Sequence, residues 1–105
     1  KGLLCIFDSL AADPFDNKFL LELIMFHKNK YKIVVHYNIL PVQSPLSNVC
    51  GLYVIYFILY MCRDKSYSSF SKKFDVNRLT NNDIFVKNIL ASMYPNVIDK
   101  IDFII

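Results

Sequence analysis

The sequence predicts an α+β domain in which a small sheet packs on one buried helix. Two short apolar runs, at residues 3–7 and 31–40, have the length and composition of strands, and the second is rich in β-branched and aromatic residues. A nearly continuous apolar run covers residues 49–62 between Asn48 and Arg63. A membrane-spanning helix needs about 20 such residues, so this shorter run predicts a helix buried in a globular core.

Composition excludes several classes of protein. Of 105 residues, 54% are hydrophobic and 20% are charged, which is too apolar for a disordered chain. The 2 glycines and 4 prolines exclude collagen-like and low-complexity sequence. The formal net charge of +3 permits an anionic partner without requiring one. The length suits one domain and no more.

The first half of the chain predicts a strand, a helix and a second strand. The strand at 3–7 ends at Asp8, and Asp13 with Pro14 has the pattern of an N-cap and first helical residue. The helix is predicted to end at residues 28–30, and Pro41 ends the second strand. The apolar residues at helical spacing in this helix are Phe15, Phe19, Leu23 and Phe26.

The second half predicts helices alone. A loop at 43–48 leads into the long helix at about 49–63, with Ser47 or Asn48 as its cap. A short amphipathic helix is predicted within residues 64–75. Residues 81–83 are predicted to cap a last helix that stops at Pro95. The predicted apolar face of that helix is Ile84, Phe85, Ile89, Leu90 and Met93.

The residue with the clearest chemical interpretation is Cys50, in the first turn of the long helix. A helix N-terminus offers unpaired N–H groups and a partial positive charge, which favour a thiolate. A thiolate is a nucleophile suited to covalent catalysis. Gly51 leaves the approach to the sulfur uncrowded.

Two further residues could assist this nucleophile. Gln43 lies seven residues before Cys50, and its amide together with the Cys50 N–H could form an oxyanion hole. Asp8 ends the first strand, where a carboxylate could orient a histidine on an adjacent strand. Read singly, these residues would be a buried thiol, a loop amide and a turn former.

Together, the segments Phe-Asp-Ser-Leu at 7–10, Gln43 followed by Cys50-Gly51, and the helix at 52–60 resemble the adenovirus-type (adenain-like) cysteine proteases. That family is related to the proteases that remove SUMO and other ubiquitin-like modifiers. The resemblance covers about residues 3–60. Its Gln-to-Cys spacing is similar to the branch found in viruses and virus-like DNA transposons.

The resemblance implies a papain-like fold and a catalytic site. Cys50 would be the nucleophile, Gln43 the oxyanion-hole donor and Asp8 the acid of the triad, with no metal or organic cofactor. The family's histidine precedes the acid, yet no histidine precedes Asp8 here, and the chain has no Trp. We therefore expect residues 1–105 to be a single partial domain, the C-terminal portion of the catalytic domain. A missing N-terminal segment would dock on it and supply the base.

The expected function is a thiol endopeptidase that cleaves viral or virus-like precursor proteins, with protein or peptide substrates. This chain alone is expected to be a poor protease. An activating peptide or DNA is a further expected partner. The alternatives are a protease that removes SUMO-type modifiers, and a non-catalytic remnant or binding module that keeps the fold. His36 could replace the missing base, but the family's chain order argues against it.

The cysteine content indicates the cellular compartment. The chain has three cysteines without a CxxC motif or zinc-binding spacing, which favours a reducing intracellular setting. The nucleus or a virion would fit this setting, and no membrane association is expected. Cys5 and Cys62 lie in apolar runs and are predicted to pack in the core. The lysines at 28, 30 and 32 are predicted to form a solvated turn.

Overall fold

The computed structural model describes residues 2–64 and 66–105 and confirms the α+β class. Strands β1 (Gly2–Ile6) and β2 (Ile33–Tyr37) form a two-stranded parallel sheet. The helical elements are a 3₁₀ turn at Pro14–Asp16, then α1 (Lys18–Lys30), α2 (Cys50–Asp64), α3 (Tyr67–Ser71), α4 (Leu79–Met93) and α5 (Pro95–Ile98).

The first three elements form a β-α-β unit. Parallel strands need a long crossover connection, and α1 supplies it between β1 and β2. The predicted start at Asp13 and Pro14 is confirmed for the 3₁₀ turn, where the Asp13 carboxylate accepts from the Phe15 N–H at 2.9 Å. The helix α1 has its own cap, because the Asn17 side chain accepts from the Leu20 N–H at 3.0 Å.

The core lies along one side of α2. Tyr53 and Tyr56 are buried there, and the wholly buried Phe70 of α3 packs against them. The Phe70 ring centroid lies 4.9 Å from that of Phe7, which follows β1, and 5.1 Å from that of Phe57. The helix is thus buried on one side only, and not throughout as the apolar run predicted, because its other side exposes Val54, Ile55 and Ile58.

The predicted cap of the long helix is wrong. Asn48 pairs with Ile104 instead: its N–H donates to the Ile104 carbonyl at 3.1 Å and its Oδ1 accepts from the Ile104 N–H at 2.7 Å. The Ser47 hydroxyl donates to the Ser44 carbonyl at 3.0 Å. In the first turn of α2 the Leu52 N–H donates to the Val49 carbonyl at 3.0 Å, and no side chain of the described residues caps this turn.

The predicted start of the last helix is also wrong. It begins at Leu79, so Asn82 and Asp83 lie inside α4, where both are buried. Their side chains bond to other segments rather than to the helix end.

The predicted apolar face of α4 is right in part. Leu90 is buried and Phe85 and Ile89 pack against the core, whereas Ile84 and Met93 are exposed. Asn82 and Val86 are also buried, although the prediction did not include them. None of the helices in residues 2–64 and 66–105 combines the length and apolar character that crossing a bilayer requires.

Candidate active site

A cleft of about 410 Å³ lies where the end of β1, the 3₁₀ turn and the N-terminus of α2 meet. Cys50 and Asp8, both singled out from the sequence, line this cleft together. Tyr53, one turn after Cys50, and Ser9 line it as well. Asp8 and Cys50 are 42 residues apart in the chain, and the fold brings them to one surface.

Cys50 is the first residue of α2 and is exposed. Within the described residues, neither its backbone N–H nor that of Gly51 donates to a protein acceptor. Nothing lies within 4 Å of the position that a β-carbon on Gly51 would occupy. The sulfur is therefore open to approach, and two N–H groups remain available to an anion at the helix N-terminus.

Asp8 lies in a turn that follows β1. Its Oδ1 accepts from the Leu10 N–H at 2.9 Å, and its carbonyl accepts from the N–H of Ala11, a residue with a φ of 57°. The Asn38 side chain pairs with the Asp8 backbone on both sides, accepting from its N–H at 3.0 Å and donating to its carbonyl at 2.6 Å. Asn38 thus fixes Asp8, a role that sequence reasoning missed.

Gln43 lies behind the cleft rather than in it. Its side chain is wholly buried, and its Oε1 accepts from the hydroxyl of Ser9, which lines the cleft. Its Nε2 lies 3.2 Å from Ser47 Oγ and 3.3 Å from the Ser47 carbonyl. Among the described residues, no hydrogen bond joins Gln43 to Cys50.

Buried polar side chains are concentrated at this site. In the part of the chain that the structure describes, they number four: Ser9, Gln43, Asn82 and Asp83. Gln43 belongs to the segment at residues 42–44, which precedes the nucleophile in the chain. The other three form hydrogen bonds to this segment. Buried polar groups in an apolar core are costly unless they are satisfied, and each of these has a partner.

Tyr53 links this segment to α2. Its hydroxyl donates to Asp83 Oδ1 at 2.7 Å and lies 3.2 Å from the Val42 carbonyl. Burial, and next the hydrogen bond to Asp83, raise the pKa of Tyr53 far above its ordinary value. Sequence reasoning missed Asn82 and Asp83. The signal in the sequence is a polar pair that lies among the apolar residues of α4. It was interpreted as the cap of that helix, so no other role was considered.

Neither histidine lines the cleft. His36 is exposed on β2 opposite Cys5, and its ring lies 6.1 Å from that of Tyr67. His27 lies in the last turn of α1, where its Nδ1 is 2.8 Å from the Leu23 carbonyl. A base for Cys50 is therefore not among the residues that line this cleft.

The other two cysteines differ from each other. Cys5 is half-buried in β1, and burial raises the pKa of its thiol, in line with the predicted packing role. Cys62 is exposed near the end of α2, so its predicted packing role is wrong, because α2 turns this residue toward solvent. Within residues 2–64 and 66–105, no group of three His, Cys, Asp or Glu side chains is placed to hold a metal ion.

Comparison of the chain with family models, with curated proteins and with solved structures finds no match.

Proposed function

We propose that this chain is part of a cysteine-type endopeptidase of the adenain-like kind, with viral or virus-like precursor proteins as substrates and Cys50 as the nucleophile. The observation that supports this most is the placement of Cys50. It is an exposed thiol at the N-terminus of α2, in a cleft shared with Asp8, beside backbone N–H groups that have no acceptor within the described residues.

The chemistry follows from this placement. The Cys50 thiolate attacks the carbonyl carbon of a peptide bond, and the carbonyl oxygen becomes negative. That oxygen accepts hydrogen bonds from the free N–H at the start of α2. The amine leaves with a proton, a thioester remains on Sγ, and water then releases the acid. A histidine from outside the described cleft would deliver that proton, oriented by Asp8.

Gln43 would be a second oxyanion donor. Its two contacts from Nε2, at 3.2 and 3.3 Å, go to one residue, Ser47, and are longer than the usual N–H···O distance of about 2.9–3.0 Å. Because Gln43 is wholly buried and its Oε1 accepts from the Ser9 hydroxyl, its amide would reach a substrate oxygen only by leaving these partners and moving toward the cleft.

A peptide electrophile tests the nucleophile. A short peptide ending in Gly-Gly with a C-terminal vinyl ester is added to the chain, and the labelled cysteines are identified by mass spectrometry. Cys62, exposed on the same helix, is the internal control. We expect Cys50 to be labelled about tenfold faster than Cys62 or more, since its sulfur lies in the cleft beside N–H groups that can bind the ester oxygen. Equal labelling of the two cysteines would favour the non-catalytic alternative.

Chemical rescue tests the missing base. Imidazole in solution should restore slow hydrolysis of a fluorogenic Gly-Gly peptide, and Cys50→Ala should abolish the restored activity while Cys62→Ala retains it. Faster turnover of a SUMO-type fluorogenic conjugate than of the peptide would favour the modifier protease instead. Imidazole-dependent hydrolysis that survives Cys50→Ala would disprove the proposed nucleophile.

A further inference from the structure

We propose that Asp83, assisted by Asn82, is a positioning residue that fixes the segment at residues 42–44 against α2 and so places Gln43 relative to Cys50. This inference rests on the proposed function, since positioning Gln43 has a catalytic meaning only if Cys50 is a nucleophile. It concerns a residue of α4, about 40 positions away from Gln43 in the chain.

The contacts of α4 with this segment surround Gln43 on both sides. Before it, the Asn82 Nδ2 donates to the Val42 carbonyl at 2.9 Å. After it, the Ser44 N–H donates to Asp83 Oδ2 at 3.3 Å. The Gln43 N–H itself donates to the Ser9 carbonyl at 3.1 Å. The backbone of the segment is therefore held from α4 and from the end of β1 at once.

The second carboxylate oxygen of Asp83 reaches the helix of the nucleophile. Asp83 Oδ1 accepts from the Tyr53 hydroxyl at 2.7 Å, and Tyr53 lies one turn after Cys50 and lines the same cleft. One buried carboxylate thus bonds to the segment that carries Gln43 and to the helix that carries Cys50. Replacing Asp83 would therefore alter the position of Gln43 relative to Cys50.

Stability alone does not explain a carboxylate here. Asp83 is wholly buried, and the ion pair found in the described residues, Arg78 with Asp75 at 3.8 Å, does not include it. Burying a carboxyl group carries a desolvation cost, and well-packed apolar residues often serve stability as well or better. A geometric role explains the carboxylate, because it provides two acceptor oxygens at one position, one for the Ser44 N–H and one for the Tyr53 hydroxyl.

Hydrogen exchange tests the positioning without requiring activity. Asp83→Leu keeps the branched shape of the side chain and removes both acceptor oxygens, so both contacts are lost. We expect the backbone amides of residues 42–44 to exchange about tenfold faster or more, a shift typical of local opening. Amides of the core, at Leu52 and Leu90, should change less than about twofold. The exposed Asp99→Leu is the control.

Unchanged exchange at residues 42–44 in Asp83→Leu would overturn the proposal. So would an equal acceleration at Leu52 and Leu90, because that would show a general loss of stability rather than a local one.

A double-mutant cycle then tests whether Asp83 acts through Gln43. The readout is binding of a Gly-Gly peptide aldehyde, whose adduct with Cys50 carries an oxyanion. We expect Asp83→Leu to weaken binding about tenfold or more, toward the factor of about 10²–10³ seen on losing an oxyanion donor. Gln43→Ala should weaken it at least as much, and the double variant no further.

Alkylation of Cys50 by iodoacetamide forms no oxyanion. Its rate should therefore change less than about threefold in these variants, because they weaken only the stabilisation of an oxyanion. Additive losses in the double variant would overturn the proposal, because independent sites add. A wild-type chain that binds no aldehyde would count against the proposed nucleophile, whereas the exchange measurement would still decide the role of Asp83.

Discussion

The two halves of the molecule are packed very differently. In the β-α-β half, α1 buries one residue, Ile24, while Phe19 remains 72% exposed and Phe26 55% exposed. In the helical half, Tyr53 and Phe70 are wholly buried within a cluster of aromatic rings. The helical half therefore carries most of the hydrophobic stabilisation, since burial of apolar area is the main favourable contribution to folding.

The candidate site lies at the junction of these halves. Asp8 comes from the end of β1 in the first half, and Cys50 begins α2 in the second. Across the junction, the ring of Phe7 packs 4.9 Å from that of Phe70, and the Ser9 hydroxyl donates to Gln43. The nucleophile therefore stands on the well-packed half, whereas the acid is fixed by hydrogen bonds to Asn38 within its own half.

The exposed apolar surface of α1 is large for a surface helix. Exposed apolar patches commonly mark places where another chain or segment binds. The docking segment expected from the sequence stays a prediction, and α1 is the part of this chain on which to test it.

The largest effect should follow from a change in the helical half. Phe70→Ala should lower the free energy of unfolding by about 3–5 kcal/mol, because it empties the centre of the aromatic cluster. The matched change in the other half, Phe19→Ala, should cost about 0.5 kcal/mol or less because its ring is exposed. Urea unfolding followed by circular dichroism measures both. Similar losses in the two variants would contradict the contrast between the halves.

A smaller effect is expected at the polar contact that joins α2 to α4. Tyr53→Phe removes the hydroxyl that donates to Asp83 and leaves a buried carboxylate oxygen without that partner. We expect a loss of about 1–3 kcal/mol in the free energy of unfolding. Tyr56→Phe, one turn further along α2, is the control, since its hydroxyl makes no hydrogen bond to the described residues. A loss as large in the control would refute the specific role of Tyr53.

The smallest effect concerns alkaline pH and the contact between α3 and β1. The Tyr67 hydroxyl donates to the Ile6 carbonyl at 2.9 Å, and burial raises the pKa of Tyr67 to about 12 from its ordinary 10.0. Because the folded pKa is raised, this contribution to stability is complete below about pH 10 and is lost as the pH rises through about 12.

Urea unfolding at a series of alkaline pH values measures this dependence. Tyr67→Phe should lose less stability than the wild type between about pH 10 and 12, with a remaining slope from Tyr53, whose pKa is also raised. Parallel curves for the two proteins would show that Tyr67 does not contribute.

Much of the fold could be predicted because its signals are local. The strand at the start, the long apolar helix and the turn at Asp13 and Pro14 each depend on residues within a few positions of one another. The positions of Asp8 after a strand and of Cys50 at a helix start followed from the same local patterns. Their common cleft did not, because it depends on how β1 packs on α2.

The caps show where local reasoning fails. Asn48 has the chemistry of an N-cap, yet it bonds to Ile104, which is 56 positions away. Asn82 and Asp83 also suit a cap, but they bond to Val42, Ser44 and Tyr53, at separations of 30–40 residues. A capping residue satisfies whichever donors or acceptors lie nearest, and tertiary packing decides which those are.

Sequence patterns predicted the α+β class, the order of the elements from β1 to α4 and a cysteine at the start of the long helix, but they did not predict α5. Hydrophobic periodicity and strand composition carry that information, because both report how a segment buries its own apolar residues. The tertiary structure alone decided that Gln43 is buried behind the cleft and that Asp83 joins its segment to α2. Buried polar groups take their partners from whichever elements pack beside them, and that choice is made only when the elements assemble.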